Sequence, residues 1–187
     1  MKNIFLIIIS IILMQELGYT QSSDSCYAGV YLNVTDFIQN KITNKINVNK
    51  KGNDFKIKMN YVVKIITPDT VIKYKEGSIY GYYLCGRKCR YSSKAELKAP
   101  EDFYKIEETK GLIIYTSLFW GGSEYFYSLD LSSPIHRLSM NNLQKDFSED
   151  SELISEIKKA KLLDGLITKT DKGSFVINLI YEKTLKK

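Results

Sequence analysis

From Phe55 to Tyr61 the chain alternates without a break: Phe55, Ile57, Met59 and Tyr61 are apolar with Lys56, Lys58 and Asn60 between them, and Val63 keeps the same parity. A strict period of two sends successive side chains to opposite faces of an extended backbone, which is the pattern of a half-buried β-strand. Shorter runs of the same character follow at close intervals. Thr67-Pro68-Asp69 punctuates the first run, Val71 to Lys75 resumes it, and Glu76-Gly77 turns again. Ser78 to Leu84, Arg90 to Ser92, Phe103 to Glu107, Leu112 to Trp120 and Glu124 to Leu131 are predicted strands, the last two separated by Gly121-Gly122-Ser123. Pro134 to Leu138 adds a short final strand. The connections are too short for parallel crossovers, so the sequence predicts an antiparallel meander.

After Ser139 the period changes. Ser139 can cap a helix in which Leu143 and Phe147 stand four apart. Ser148 can cap a second, with Glu149, Asp150 and Glu152 in its first turn and an apolar face of Leu153, Ile154, Ile157 and Ala160. Lys158, Lys159 and Lys161 fall at its negative end and Gly165 is placed to stop it. Residues 174–185 (SFVINLIYEKTL) suit a strand by their β-branched content and a helix by the Val176–Ile180 spacing. Upstream, Gly29 to Asn33 reads as a strand, Thr35 as the cap of a helical turn over Asp36 to Asn40, and residues 41–54 as a polar, mobile connection. The expected class is therefore α+β, an antiparallel β-sheet meander with C-terminal helices packed on it.

Residues 1–22 read as a signal peptide. Lys2 supplies the positive start, and Ile4 to Met14 is an apolar run broken by Ser10. As a helix that run covers about 16 Å, roughly half a bilayer's hydrocarbon thickness, so it suits an export signal better than a membrane span. Cys26 follows Ser23-Asp24-Ser25 and stands well beyond Met14, which argues against lipidation. The expected organisation is a leader over 1–22 and one α+β domain over 23–187, with no span after cleavage and a periplasmic or extracellular destination.

The 27 basic and 21 acidic residues leave a net charge of +6. Charge of this size draws a protein toward anionic envelope surfaces or polyanions. The lysines are dispersed, however, and fall on the polar positions of alternating strands, so a solvated surface is expected and no nucleic-acid partner. Cys85-Gly86-Arg87-Lys88-Cys89 is the sharpest local feature. A hairpin looping through the three central residues would make Cys85 and Cys89 facing partners, within reach of a disulfide. Free thiols, or Cys26 paired with either cysteine, are the alternatives.

Catalytic motifs are missing from the sequence: there is no Gly-x-Ser-x-Gly, no His-Glu-x-x-His and no phosphate-cradling glycine loop. The one histidine, His136, lies in a predicted edge strand and reads as a surface or satisfied residue. Neither a metal nor a cofactor is expected. The leading reading is a non-catalytic envelope or secreted interaction domain. The second is a glycan- or peptide-binding module using Tyr82, Tyr83 and Trp120, because the sheet carries many tyrosines whose rings, if exposed in a row, would stack on sugars or anchor a peptide. A small hydrolase working through two carboxylates distant in sequence is the third.

One resemblance adds to this. Gly29-Val30-Tyr31-Leu32 followed by Asp36-Phe37, then Tyr80-Gly81-Tyr82, Phe103-Tyr104-Lys105-Ile106, Gly121-Gly122-Ser123, the Tyr125 to Leu131 strand, Asp150-Ser151-Glu152-Leu153 and Tyr181-Glu182-Lys183 resemble small exported proteins common in the Bacteroidota. The resemblance implies export, a single domain and a helical C-terminal piece. It carries no catalytic residue across and does not include the cysteine pair.

Overall fold

The structure, a computed structural model, describes residues 25–58, 62–75, 77–92, 102–117, 124–160 and 163–185. The predicted leader lies outside the described residues. In chain order the elements are β1 (Tyr27–Tyr31), α1 (Val34–Ile38), β2 (Thr43–Asn47), β3 (Asp54–Ile57), β4 (Val63–Ile66), β5 (Val71–Tyr74), β6 (Gly81–Leu84), β7 (Arg87–Ser92), β8 (Asp102–Glu108), β9 (Ile113–Ser117), β10 (Tyr125–Ser128), β11 (His136–Arg137), α2 (Met140–Asp146), α3 (Ser151–Lys159), α4 (Leu163–Leu166) and α5 (Val176–Leu185). The architecture is α+β. Eight strands form one antiparallel sheet in the order β11-β10-β9-β8-β7-β6-β1-β2, and β3-β4-β5 form a second, three-stranded sheet.

The alternation from Phe55 to Val63 is a hairpin rather than one strand. Asp54 pairs with Ile66, Phe55 with Ile65 and Ile57 with Val63, so the chain reverses between Ile57 and Val63. Odd-numbered residues face odd-numbered partners, which keeps the apolar set on one side before and after the reversal. The period of two survives the turn and hides it. Met59, Tyr61 and Asn60 lie outside the described residues.

One face of the large sheet is covered twice. Over β1, β2, β6, β7 and β8 the small sheet lays Val63 and Ile65 on Ala28, Val30, Ile46, Tyr82, Cys89, Tyr91 and Phe103. Over β9 and β10 the helices pack Leu143, Leu153, Ile157 and Ile177 on Ile114 and Tyr127. The opposite face buries Tyr104, Ile113, Tyr115 and Phe126 beneath Ile135 and Leu131. Both faces are thus apolar over much of their area, with the C-terminal helices and the small sheet on one side and α1 and short loops on the other.

Local chemistry sets the helix ends. Asn33, not Thr35, caps α1 by accepting from Asp36 N, and Asn40 ends it at φ +54, where its side chain takes a hydrogen bond from Tyr31 Oη at 2.8 Å. Ser139 caps α2 through Asn142 N, as its sequence position predicts. Asp150, two residues after the predicted Ser148, caps α3 by accepting from Leu153 N. The ambiguous segment is helical as α5. Its buried Asn178 grips the main chain of Leu112, accepting from the N–H and donating to the carbonyl at 2.9 Å each. The segment 41–54 is not merely a connection: β2 pairs with β1 and buries Ile46. A single apolar anchor among Lys and Asn is enough for an edge strand, and that composition masks it.

Candidate functional site

The tyrosines do not line up on the surface. Tyr31, Tyr82, Tyr91, Tyr104, Tyr115 and Tyr127 are buried, and Tyr82 is only 2% exposed, its ring edge-on to Phe103 at 5.0 Å. Tyr83 is half-buried on the other side of β6, because neighbours on a strand point to opposite faces. Tyr82 and Tyr83 therefore cannot share a platform. Trp120 and the Gly121-Gly122-Ser123 turn lie outside the described residues.

The predicted Cys85–Cys89 bond is corrected as well. Tyr82 faces Cys89 and Leu84 faces Arg87, so the β6–β7 hairpin closes through two residues, Cys85 and Gly86, rather than through three. Both take positive φ, +47 and +85, as a tight two-residue hairpin turn demands. Cys85 is then a turn residue with no cross-strand partner in Cys89. Its N–H bonds Tyr27 O at 2.9 Å, which sets it beside Cys26, and the disulfide joins Cys26 to Cys85 with Cα atoms 4.5 Å apart. Cys89 remains a buried thiol, and burial pushes it up to about 11.

Two clefts of similar volume open on the described surface. One, about 480 Å³, lies between α2 and α3 and is lined by Gln144, Ser148, Ser155 and Lys158 with Ile154. The other, about 470 Å³, lies where β1 runs into α1 and meets β6 and β7, with Leu32 and Asn33 on one wall, Gly77, Tyr80 and Tyr91 on another, and Ser132 opposite. Arg90 also lines this second cleft, and it is only 3% exposed. Its guanidinium lies 5.4 Å from the Tyr80 ring centre and donates to Tyr115 Oη at 3.1 Å and Ser128 Oγ at 3.5 Å. Tyr115 and Ser128 are themselves bonded at 2.8 Å, and Tyr80 donates to Leu131 O. The arginine is thus fixed from behind by hydroxyls and from the side by a ring, a preorganised cation at the edge of a concave surface. Asp130, the nearby acid, is held below the usual carboxylate range first by the backbone of Ser132, then by the hydroxyl and backbone of Ser133, with Arg90 adding a weaker pull.

Comparison with other proteins gives this cleft no precedent. No family model, characterised protein or solved structure matches the chain.

A third pocket, about 170 Å³, brings together Tyr127, Ser128, Ser133, His136 and Asp146. His136 Nδ1 and Tyr127 Oη both bond Asp146 Oδ2, the latter at 2.6 Å, which ties α2 to β10 and β11. Burial first, and then that hydrogen bond, push the Tyr127 hydroxyl well above its usual value. His136 Nε2 is buried and makes no hydrogen bond. The hydroxyls of the two lining serines are engaged elsewhere: Ser128 donates to Asp130 O at 2.6 Å, and Ser133 bonds the Asp130 carboxylate. The Asp–His pair here acts as a tie between elements. Among the described residues no three His, Cys, Asp or Glu side chains gather as a metal site would require.

Sequence reasoning missed Arg90. It sits between Cys89 and Tyr91, which face the small sheet, so alternation assigns it to solvent. That rule fails because this sheet is covered on both faces. Nothing in the sequence sets Arg90 apart from its basic neighbours Arg87 and Lys88.

Proposed function

We propose that the protein is an exported, non-catalytic binding domain that holds the acidic group of a peptide or glycan in the cleft at Arg90. The observation that carries this reading is a permanently charged side chain, nearly sealed from solvent, forming part of a concave wall. A guanidinium matches a carboxylate in shape and charge, and partial burial strengthens such a pair relative to water. Tyr80 supplies an amphipathic wall, Asn33 and Ser132 supply polar contacts at the rim, and Leu32 stands exposed at the mouth. Export is supported by the Cys26–Cys85 disulfide, since such bonds persist in oxidising compartments. Among the described residues no helix is long and apolar enough to cross a membrane. The Tyr82–Tyr83–Trp120 platform loses support because Tyr82 is buried.

The test is titration of isotope-labelled protein with N-acetylglycine, with glucuronate and with their neutral amides. The acids should shift the amide signals of residues 32–34, 78–80 and 90–92, the amides should not, and Arg90→Gln should abolish the shifts in a chain whose spectrum is otherwise folded. Equal responses to acids and amides, or shifts confined to other regions, would overturn the reading.

A further inference from the structure

The outer face of the small sheet carries an arrangement that folding alone does not favour. Lys56 on β3 is directly opposite Lys64 on β4, and Lys64 is directly opposite Lys73 on β5. Like charges in register across strands destabilise a sheet, and here three stand in one row. With strands spaced about 4.8 Å apart, the row spans roughly 10 Å. Lys58 follows Lys56 two residues along the same face, and its N–H bonds Val62 O at 3.1 Å, so the ladder continues past the end of β3. Lys75 extends β5 in the same direction and is exposed.

Little offsets this charge. Asp54 bonds Lys56 at 2.8 Å, but Lys64 and Lys73 make no ion pair among the described residues. The crowding registers on Lys64, whose ammonium is held below the usual lysine range, first by Lys58, then by burial, and then by Lys73 and Lys56. On the other side of the row from Lys58 lie two aliphatic residues in register, Ile66 and Val71, the latter 52% exposed. The aromatic residues of this sheet, Phe55 and Tyr74, pack inward.

We propose that this face docks the protein on an anionic bilayer surface. Three features select a membrane over a chain-like polyanion. The surface is the open face of a three-stranded sheet rather than a groove. Its cations are lysines, compact charges that suit mobile headgroups, rather than arginines that fix one oxyanion geometry. It presents aliphatic side chains beside the charges and, among the described residues, no ring for stacking on sugars. The cleft at Arg90 belongs to the large sheet, so the two surfaces make separate predictions.

The experiment is co-sedimentation of the purified full chain with vesicles of pure phosphatidylcholine and of phosphatidylcholine with about one third phosphatidylglycerol. The neutral vesicles measure what the apolar N-terminal run contributes by itself. Binding to the charged vesicles should exceed that baseline and fall back to it in high salt. Lys64→Gln with Lys73→Gln, both on the surface, should weaken it by roughly twenty-five-fold, taking each lysine near a charged membrane at about a factor of five. Lys158→Gln with Lys159→Gln removes equal charge from α3 and should weaken it several-fold less. Equal binding to both vesicle types, equal loss in the two variants, or tight binding of soluble dextran sulfate through Lys64 and Lys73 without binding to vesicles would each overturn the proposal.

Discussion

Removing the Cys26–Cys85 bond should cost this fold more than any other single change to its cysteines. The two residues are 59 apart in sequence, so the bond closes a loop containing β1, β2, the entire small sheet and β6. In the chain-entropy account a closed loop of this length restricts the unfolded ensemble by about 4 kcal/mol at room temperature, whereas a loop joining Cys85 to Cys89 would contribute about 2 kcal/mol. With a urea dependence of about 2 kcal/mol per molar, the larger value moves the unfolding midpoint down by about 2 M. The assay is urea unfolding followed by circular dichroism for the oxidised parent, the reduced parent and the Cys26→Ser, Cys85→Ser double variant. The reduced parent and the double variant should coincide, both far below the oxidised parent. Thiol titration of the oxidised chain should find no reactive group while it is folded and one after unfolding, because Cys89 is buried and its thiol is pushed up to about 11. Oxidised and reduced midpoints that agree within a few tenths of a molar, or a second thiol in the unfolded oxidised chain, would refute the loop argument.

Two further outcomes follow from buried polar groups. Asp102 is buried in β8, and burial pushes its carboxyl up to about 6 against the opposing pull of Phe103 N and the Ser117 hydroxyl. The folded chain therefore holds a proton that the unfolded chain releases near pH 4, and this contribution to stability is complete below pH 4 and lost as pH rises through about 6. Relative to the parent, Asp102→Asn should gain up to about 3 kcal/mol between pH 4 and pH 7 in urea unfolding; parallel pH profiles would contradict this. Asn178→Ala should cost about 3 kcal/mol and lower the melting temperature by about 6–12 °C in calorimetry, because it leaves both the N–H and the carbonyl of Leu112 buried without their partner.

The strands and helices were largely legible in the sequence, and what stayed hidden has physical causes. Periodicity reports which face a residue takes and is silent about a turn that preserves parity, so Phe55 to Val63 read as one strand. The same silence concealed Arg90, since alternation equates polar with solvated and this sheet is buried on both sides. Composition misled at β2, where Ile46 alone holds an edge strand built from Lys and Asn. The cysteine pairing turned on whether a hairpin closes through two residues or three, and both conformations fit Cys85-Gly86-Arg87-Lys88-Cys89. Capping chemistry was more dependable: Ser139 starts α2 as expected, and the start of α3 moved by only two residues, to another good acceptor, Asp150. The ambiguity of 174–185 was settled by tertiary contact, because Ile177 and Asn178 are buried under the helical layer and against Leu112.

The borders of the eight-stranded sheet carry one last implication. At one margin β11 has only His136 and Arg137, and at the other β2 displays Asn44 and Lys45, with Asn44 at φ +49 and a slip in register where Val30 meets Thr43. A copy approaching edge-on finds too few free amides at the first margin and an irregular, cationic row at the second. The protein should therefore resist stacking into filaments even when crowded.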